Sequence, residues 1–224
     1  PDAIHTALTR MASDLAATLK DGLEEAYHAM TSSAPYAPDA DGAGRRSLRN
    51  QAMTLLTSID DGALAAAQFA AADNMTDSLA ALGALVSHGA EGAEPALAAF
   101  KQRWEGDPLV MDKWYVVQAT SPAEGAFARI ETLAETLNWR NPNKFRSLIG
   151  AFAVGNPVQF HQASGAGYRF FADWLIQMDE ANPQTAARVA GAFETWRRYS
   201  PERQALMQAE MERILASKTL SKDM

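Results

Sequence analysis

Asn141-Pro142-Asn143-Lys144-Phe145-Arg146-Ser147-Leu148-Ile149-Gly150-Ala151-Phe152 reads as the opening of a helix. Asn141 is a capping residue: its side-chain oxygen accepts a bond from an orphan N–H of the first turn, a contribution of ~0.5–2 kcal/mol. Pro142 stands where a missing N–H deprives no helical partner. Behind them Phe145, Leu148, Ile149 and Phe152 recur at i, i+3, i+4 and i+7, a single apolar stripe on a helix.

The same start signal recurs along the chain. Asp107-Pro108, Ser121-Pro122, Asn156-Pro157, Asn182-Pro183 and Ser200-Pro201 each pair a capping residue with Pro at the first helical position. Glu124, three residues after Ser121, adds a capping box. Ala186, Val189, Phe193 and Trp196 repeat the helical stripe, as do Met207, Met211, Ile214 and Leu215. Trp114, Trp174 and Trp196 lie among apolar neighbours and are expected to pack between helices.

The first half carries weaker signals of the same kind. Ala3 to Met30 is Ala- and Leu-rich with a period near 3.6, and Thr31 to Gly44, with Pro35, Pro38, Gly42 and Gly44, predicts a loop. Helices follow over Leu48 to Ser58, Ala63 to Ala72, Asn74 to Val86 and Glu94 to Trp104, with a turn at Asp60-Asp61-Gly62 and a break over His88 to Gly92. No run alternates as a half-buried strand does. Helices of this length joined by short turns are antiparallel neighbours. The fold class expected is therefore all-α, a right-handed superhelix of antiparallel helical hairpins, a HEAT- or armadillo-like α-solenoid forming a single domain over residues 1–224.

Composition narrows function. The 224 residues are 47% hydrophobic and 21% charged, enough to bury a sizeable core. A net charge of -7 opposes binding to nucleic acid or an anionic membrane. The absence of cysteine excludes disulfides, thiolate zinc sites and cysteine nucleophiles, and fits a cytoplasmic protein. No apolar run approaches the ~20 residues of a membrane span. Pro1-Asp2-Ala3-Ile4-His5 lacks the features of a signal peptide, and with no initiator Met the chain is expected to be a fragment or a processed product.

Catalytic constellations are missing. His5, His28, His88 and His161 are far apart, and none opens an H-E-x-x-H helix. Asp60-Asp61 and Glu24-Glu25 are adjacent in sequence, point to different helix faces and read as solvated charge. Gly165-Ala166-Gly167 lacks the third glycine and the preceding strand of a dinucleotide turn, and is expected to be an interhelical turn. No metal ligands and no catalytic residues are expected, and the chain by itself is read as no enzyme.

Five stretches carry a resemblance: the one quoted above, Gly44-Arg45-Arg46-Ser47-Leu48-Arg49-Asn50, Asn74-Met75-Thr76-Asp77, Leu109-Val110-Met111-Asp112-Lys113-Trp114 and Gln118-Ala119-Thr120-Ser121-Pro122. Taken in their order along the chain they resemble the C-terminal domain of the bacterial aminopeptidase N family, the alanyl aminopeptidases of the zinc gluzincin group. The resemblance runs from about Tyr36 to about Asp223. It implies that H-E-x-x-H, the further glutamate ligand and the G-x-M-E-N substrate loop lie upstream, with the zinc. This chain would then be the helical domain that encloses the active-site cavity and restricts access to peptides. Its partners would be the catalytic domain of the same polypeptide and the peptide substrates.

The resemblance also implies that Arg146, Gln184 and Arg188 face that cavity. Gln184 and Arg188, at i and i+4, share a helix face opposite Ala186, Val189, Phe193 and Trp196, which a solvated face explains equally well. The connection between Leu137 and Asn141 is short for the family, and the chain stops at Met224, where the family usually adds a few apolar residues. Both suggest a trimmed chain. The rival reading, from another class, is a free-standing α-solenoid scaffold that binds a partner protein.

Overall fold

The computed structural model describes every residue except Ser33, Lys218 and Thr219. Among the described residues the regular structure is entirely helical. Contacts group the chain into two compact units, residues 2–106 and residues 107–224.

The first unit holds α1 (Asp2–Thr18), α2 (Lys20–Ala29), α3 (Ala40–Leu56), α4 (Ala63–Ala71), α5 (Met75–His88) and α6 (Ala93–Trp104). The long helix expected from Ala3 to Met30 breaks at Leu19, which leaves the helical region. The loop expected up to Gly44 ends earlier. Asp39 accepts from the Gly42 amide at 2.7 Å and starts α3 at Ala40, and Arg45 pairs with Asp41 one turn on at 3.0 Å. A cap and an i,i+4 pair offset the poor helix propensity of Gly42 and Gly44. Asp60 caps the next turn, its two carboxylate oxygens accepting from the amides of Gly62 and Leu64. Asp61 and Gly62 take left-handed backbone there, at φ 53° and 86°. A Cβ at position 62 would lie 2.7 Å from that of Ala90, so the turn requires glycine twice over.

The core of this unit comprises Met53, Leu56, Leu82, Leu85, Leu97 and Phe100. Beside it lies a buried polar network that sequence periodicity does not reveal. Asp77 accepts from Asn50 Nδ2 at 3.0 Å and from Arg49 Nη1 at 3.2 Å, and Gln68 Nε2 donates to Asn50 Oδ1 at 2.6 Å. Arg49 also donates to the Tyr27 hydroxyl at 3.0 Å and lies over its ring. Two of the five resembling stretches, those holding Arg49-Asn50 and Asn74 to Asp77, meet in this network.

The second unit holds α7 (Pro108–Ala119), α8 (Ala126–Glu135), α9 (Pro142–Phe145), α10 (Ala151–Gly155), α11 (Pro157–Phe160), α12 (Ala166–Ala181), α13 (Pro183–Ala190) and α14 (Pro201–Leu215). Five of the six capped Pro starts open helices as expected. Asp107, Asn141, Asn156 and Asn182 accept from the amides of Val110, Asn143, Gln159 and Thr185, and Ser200 precedes α14 without a side-chain cap bond. Ser121-Pro122 differs. Asn156 Nδ2 donates to the carbonyls of Ala119 and Ser121 at 2.9 and 2.7 Å, holding this segment as a turn, and α8 starts only at Ala126 after left-handed Gly125.

Phe145, Leu148, Ile149 and Phe152 are all fully buried. Between α9 and α10 the helix widens into a π turn over Arg146–Gly150, a feature common at functional sites. Phe152 packs among Phe127, Phe160 and Phe170, with ring centroids 5.6–5.7 Å away. Trp114 is buried, and Trp174 and Trp196 are half-buried against this core. Leu215, expected on the apolar stripe of α14, is 65% exposed, whereas Met207 and Ile214 of the same helix are buried. Gly165-Ala166-Gly167 is the start of α12 rather than a free turn.

Candidate functional site

Within the second unit the π turn and α13 form the two walls of a groove of about 440 Å³. Arg146 and Gly150 line the first wall, Arg188 and Val189 the second, with His161 and Tyr199 also lining the groove. Gly150 packs where its Cβ would touch both Arg146 and Val189, at 3.7 and 3.8 Å.

The base of the π turn is anchored from behind. Lys144 Nζ donates to Asp112 Oδ1 at 2.7 Å and to the Pro108 carbonyl at 2.6 Å, tying the start of α9 to the start of α7. Ser147 Oγ donates to the Lys144 carbonyl at 2.9 Å and reaches the same carboxylate at 3.4 Å. Burial, reinforced by the Asp112 charge, raises the pKa of the neighbouring Tyr115 phenol. Two further resembling stretches, those holding Asp112 and Lys144, therefore meet here as a clamp. Arg146 is exposed, and its Nη2 donates to Asn143 Oδ1 at 2.7 Å.

On the other wall Arg188 is exposed in the last turn of α13, where a cation complements the partial negative charge of the helix end. Its neighbours Ala186 and Val189 are buried. The floor is aromatic. His161 is buried, its Nδ1 lies 2.9 Å from the Tyr168 hydroxyl, and its ring stacks on Tyr199 with centroids 4.0 Å apart. Arg203 Nε donates to the His161 carbonyl at 2.6 Å.

The structure thus brings Arg146 and Arg188 onto one groove. Gln184 is exposed one turn earlier on α13 and does not line it. No Asp or Glu lines the groove. In a chain of net charge -7 this is a local concentration of positive charge. Its chemistry is that of a binding surface: two guanidiniums present planar forks of donors to carboxylates and carbonyls. Periodicity did not point to His161 and Tyr199; their signal is a polar aromatic pair brought together only where the residue after α11 stacks on the segment that precedes α14.

A larger cleft, about 630 Å³, lies in the first unit and is lined by Arg45, Arg46 and Arg49 with Asp39, Asp41 and Asp77. Its charges are largely paired with one another. Arg45 binds Asp41, Arg49 binds Asp77, and Arg46 lies over the Tyr36 ring while donating to the Ala37 carbonyl. That arrangement holds the segment before α3 in place. Among the described residues no three His, Asp or Glu side chains stand together as a metal-ligand set.

A family model described as a domain of unknown function (DUF3458_C), ARM repeats, matches residues 1–224. The chain belongs to this ARM-repeat family. Similar proteins give the family match a context. Aminopeptidase N of Caulobacter vibrioides is 39% identical over 228 residues, which cover 100% of this chain and 26% of that protein. Aminopeptidase N of Haemophilus influenzae and of Escherichia coli are each 37% identical, again over 26% of their length. A crystal structure of Legionella pneumophila aminopeptidase A in complex with aspartic acid superposes with a TM-score of 0.89 at 27% identity, covering 99% of this chain and 27% of that one. The ARM-repeat chain thus spans about a quarter of the length of the relatives it matches, and it is homologous to the C-terminal region of aminopeptidase N. No helix of the described residues is long and apolar enough to cross a membrane.

Proposed function

We propose that residues 1–224 form one non-catalytic helical domain of a zinc-dependent aminopeptidase, and that the domain encloses the active-site cavity and controls the access of peptides. The observation that carries this reading is a carboxylate-free groove bearing Arg146 and Arg188 on a chain homologous throughout to the C-terminal region of aminopeptidase N. A cytoplasmic location for this aminopeptidase is part of the proposal, and a sequence without cysteine is compatible with it. The zinc, its ligands and the residue that activates water belong to the upstream catalytic domain in this proposal, where the metal would supply a nucleophile at neutral pH. The ARM-repeat domain contributes the far side of the channel, and its arginines hold backbone carbonyls or the C-terminal carboxylate of a short peptide.

The test is kinetic and uses the intact enzyme. Arg188→Ala empties no core, so the enzyme stays folded. A charge-assisted hydrogen bond is worth ~1.5–3 kcal/mol, and ~1.4 kcal/mol is a factor of ten. KM for tri- and tetrapeptides is therefore expected to rise roughly ten-fold or more, while single-residue chromogenic substrates change much less. Arg146→Ala acts in the same direction, and Gln184→Ala more weakly, because Gln184 lies one turn outside the groove and a neutral amide donates weaker bonds. Equal effects on short and long substrates indicate a docking defect. No effect on either returns Arg146 and Arg188 to the solvated surface and defeats the proposal.

A further inference from the structure

Arg146 opens the π turn, and the register of that turn decides where the side chain points. A π turn holds one residue more than an α turn, and it is rare because α geometry is the ordinary state of a helix. If Arg146–Gly150 relaxed to α geometry, the helix on one side would rotate against the other. The rotation is about 100°, the angle that one residue occupies at 3.6 residues per turn. The turn therefore persists only while both of its sides are held.

The far side is held by the core. Phe152 is fully buried among three other rings, and Asn156, fully buried at the end of α10, donates to the carbonyls of Ala119 and Ser121. The near side is short. Helix α9 has four residues, Pro142–Phe145, too few to hold a register through their own hydrogen bonds. Phe145 is buried, but apolar packing is not directional. The directed contacts come from Lys144, whose Nζ donates to Asp112 Oδ1 at 2.7 Å and to the Pro108 carbonyl at 2.6 Å, both on α7. Inside the turn Ser147 Oγ donates to the Lys144 carbonyl at 2.9 Å. Arg146 Nη2 donates at 2.7 Å to Oδ1 of Asn143, the residue before Lys144. Directed bonds thus run from Asp112 through Lys144 and α9 to the Arg146 guanidinium.

We propose that Lys144 is a positioning residue for peptide binding: anchored on Asp112, it fixes the register of the π turn and so the aim of Arg146 along the groove. Lys144 touches no peptide and acts only through Arg146. Without the ammonium, α9 is free to turn, Asn143 moves with it, and the guanidinium loses both its backbone register and its side-chain acceptor. The inference deepens the reading of Arg146 as a peptide contact and rests on it.

The test is a double-variant cycle in the intact enzyme, with a tripeptide and a single-residue chromogenic substrate. Lys144→Met is expected to raise KM for the tripeptide several-fold, toward the roughly ten-fold of Arg146→Ala. Tripeptide kcat and both constants for the chromogenic substrate stay unchanged. Lys144→Arg, which keeps a cation against Asp112, restores the tripeptide KM. In an Arg146→Ala background Lys144→Met adds nothing, because the residue through which it acts is gone. Effects that add in full make Lys144 a structural residue only and overturn the proposal, as does an equal loss on both substrates. If Arg146→Ala raises the tripeptide KM and Lys144→Met does not, the positioning role falls while the groove reading stands. If Arg146→Ala itself has no effect, the groove reading falls and this inference with it. A crystal structure of the Lys144→Met enzyme with the π turn intact and Arg146 still on the groove overturns the proposal as well.

Discussion

Lys144 Nζ lies 2.7 Å from Asp112 Oδ1, joining the first turn of α9 to α7 directly behind the π turn that carries Arg146. Both side chains are largely buried, at 16% and 20% exposure. Lys144→Met leaves the largely buried Asp112 carboxylate without its cation, and removing one partner of such a pair costs more than the pair's net worth. The expected loss is about 1–3 kcal/mol, read as a lower urea midpoint at unchanged slope. A change under about 0.5 kcal/mol would place the pair with ordinary surface salt bridges.

The same carboxylate contributes to a titration. Burial first, and the Asp112 charge second, raise the Tyr115 phenol above its ordinary value. The fold therefore favours the neutral phenol. Its contribution to stability is present in full below pH ~10, the ordinary value for tyrosine, and is lost as pH climbs past that value toward the raised one. Absorbance titration at alkaline pH is expected to show a late-ionising component that disappears in Tyr115→Phe and moves to lower pH in Asp112→Asn. A late component unchanged in both variants would refute the assignment.

Phe152 is fully buried in a cluster of four rings. Phe152→Ala is expected to cost ~3–5 kcal/mol, measured by denaturant unfolding monitored by circular dichroism. A loss below about 1 kcal/mol would show that the site collapses freely or was never the centre of the core.

Gly167 sits in the first turn of α12, where a Cβ would meet backbone: the Phe160 carbonyl oxygen at 2.5 Å and that of Gln159 at 2.8 Å. Helix propensity alone favours Gly167→Ala by about 1 kcal/mol. The clash is with backbone atoms that no rotamer change relieves, so the substitution is expected to destabilise by ~1–3 kcal/mol instead. Thermal unfolding of this variant beside Gly22→Ala, whose Cβ meets nothing, separates the two effects. A stabilised Gly167→Ala protein would show that α11 and α12 do not pack this closely.

Local chemistry explains how much of the fold was readable. The Asn141-Pro142 and Asn182-Pro183 starts depend on bonds within three residues, and the Phe145 to Phe152 stripe depends on helical period alone, so each was visible in sequence and is present in the structure. The start of α3 was missed because the Asp39 cap lay inside a segment dominated by proline and glycine.

The amino-acid order was therefore sufficient for an all-helical chain, for most helix starts, for the buried face of α9 and α10, and for the resemblance borne by its five motifs. It did not determine which polar residues meet. Ser121-Pro122 has every local feature of a helix start, yet it forms a turn because Asn156, 35 residues away, donates to its backbone. Arg146 and Arg188 reach one groove only because the π turn and α13 pack around Gly150 and Val189. Local signals fix φ and ψ through neighbours along the chain, whereas a groove or a buried network is fixed by pairs of residues whose separation in sequence says nothing of their separation in space.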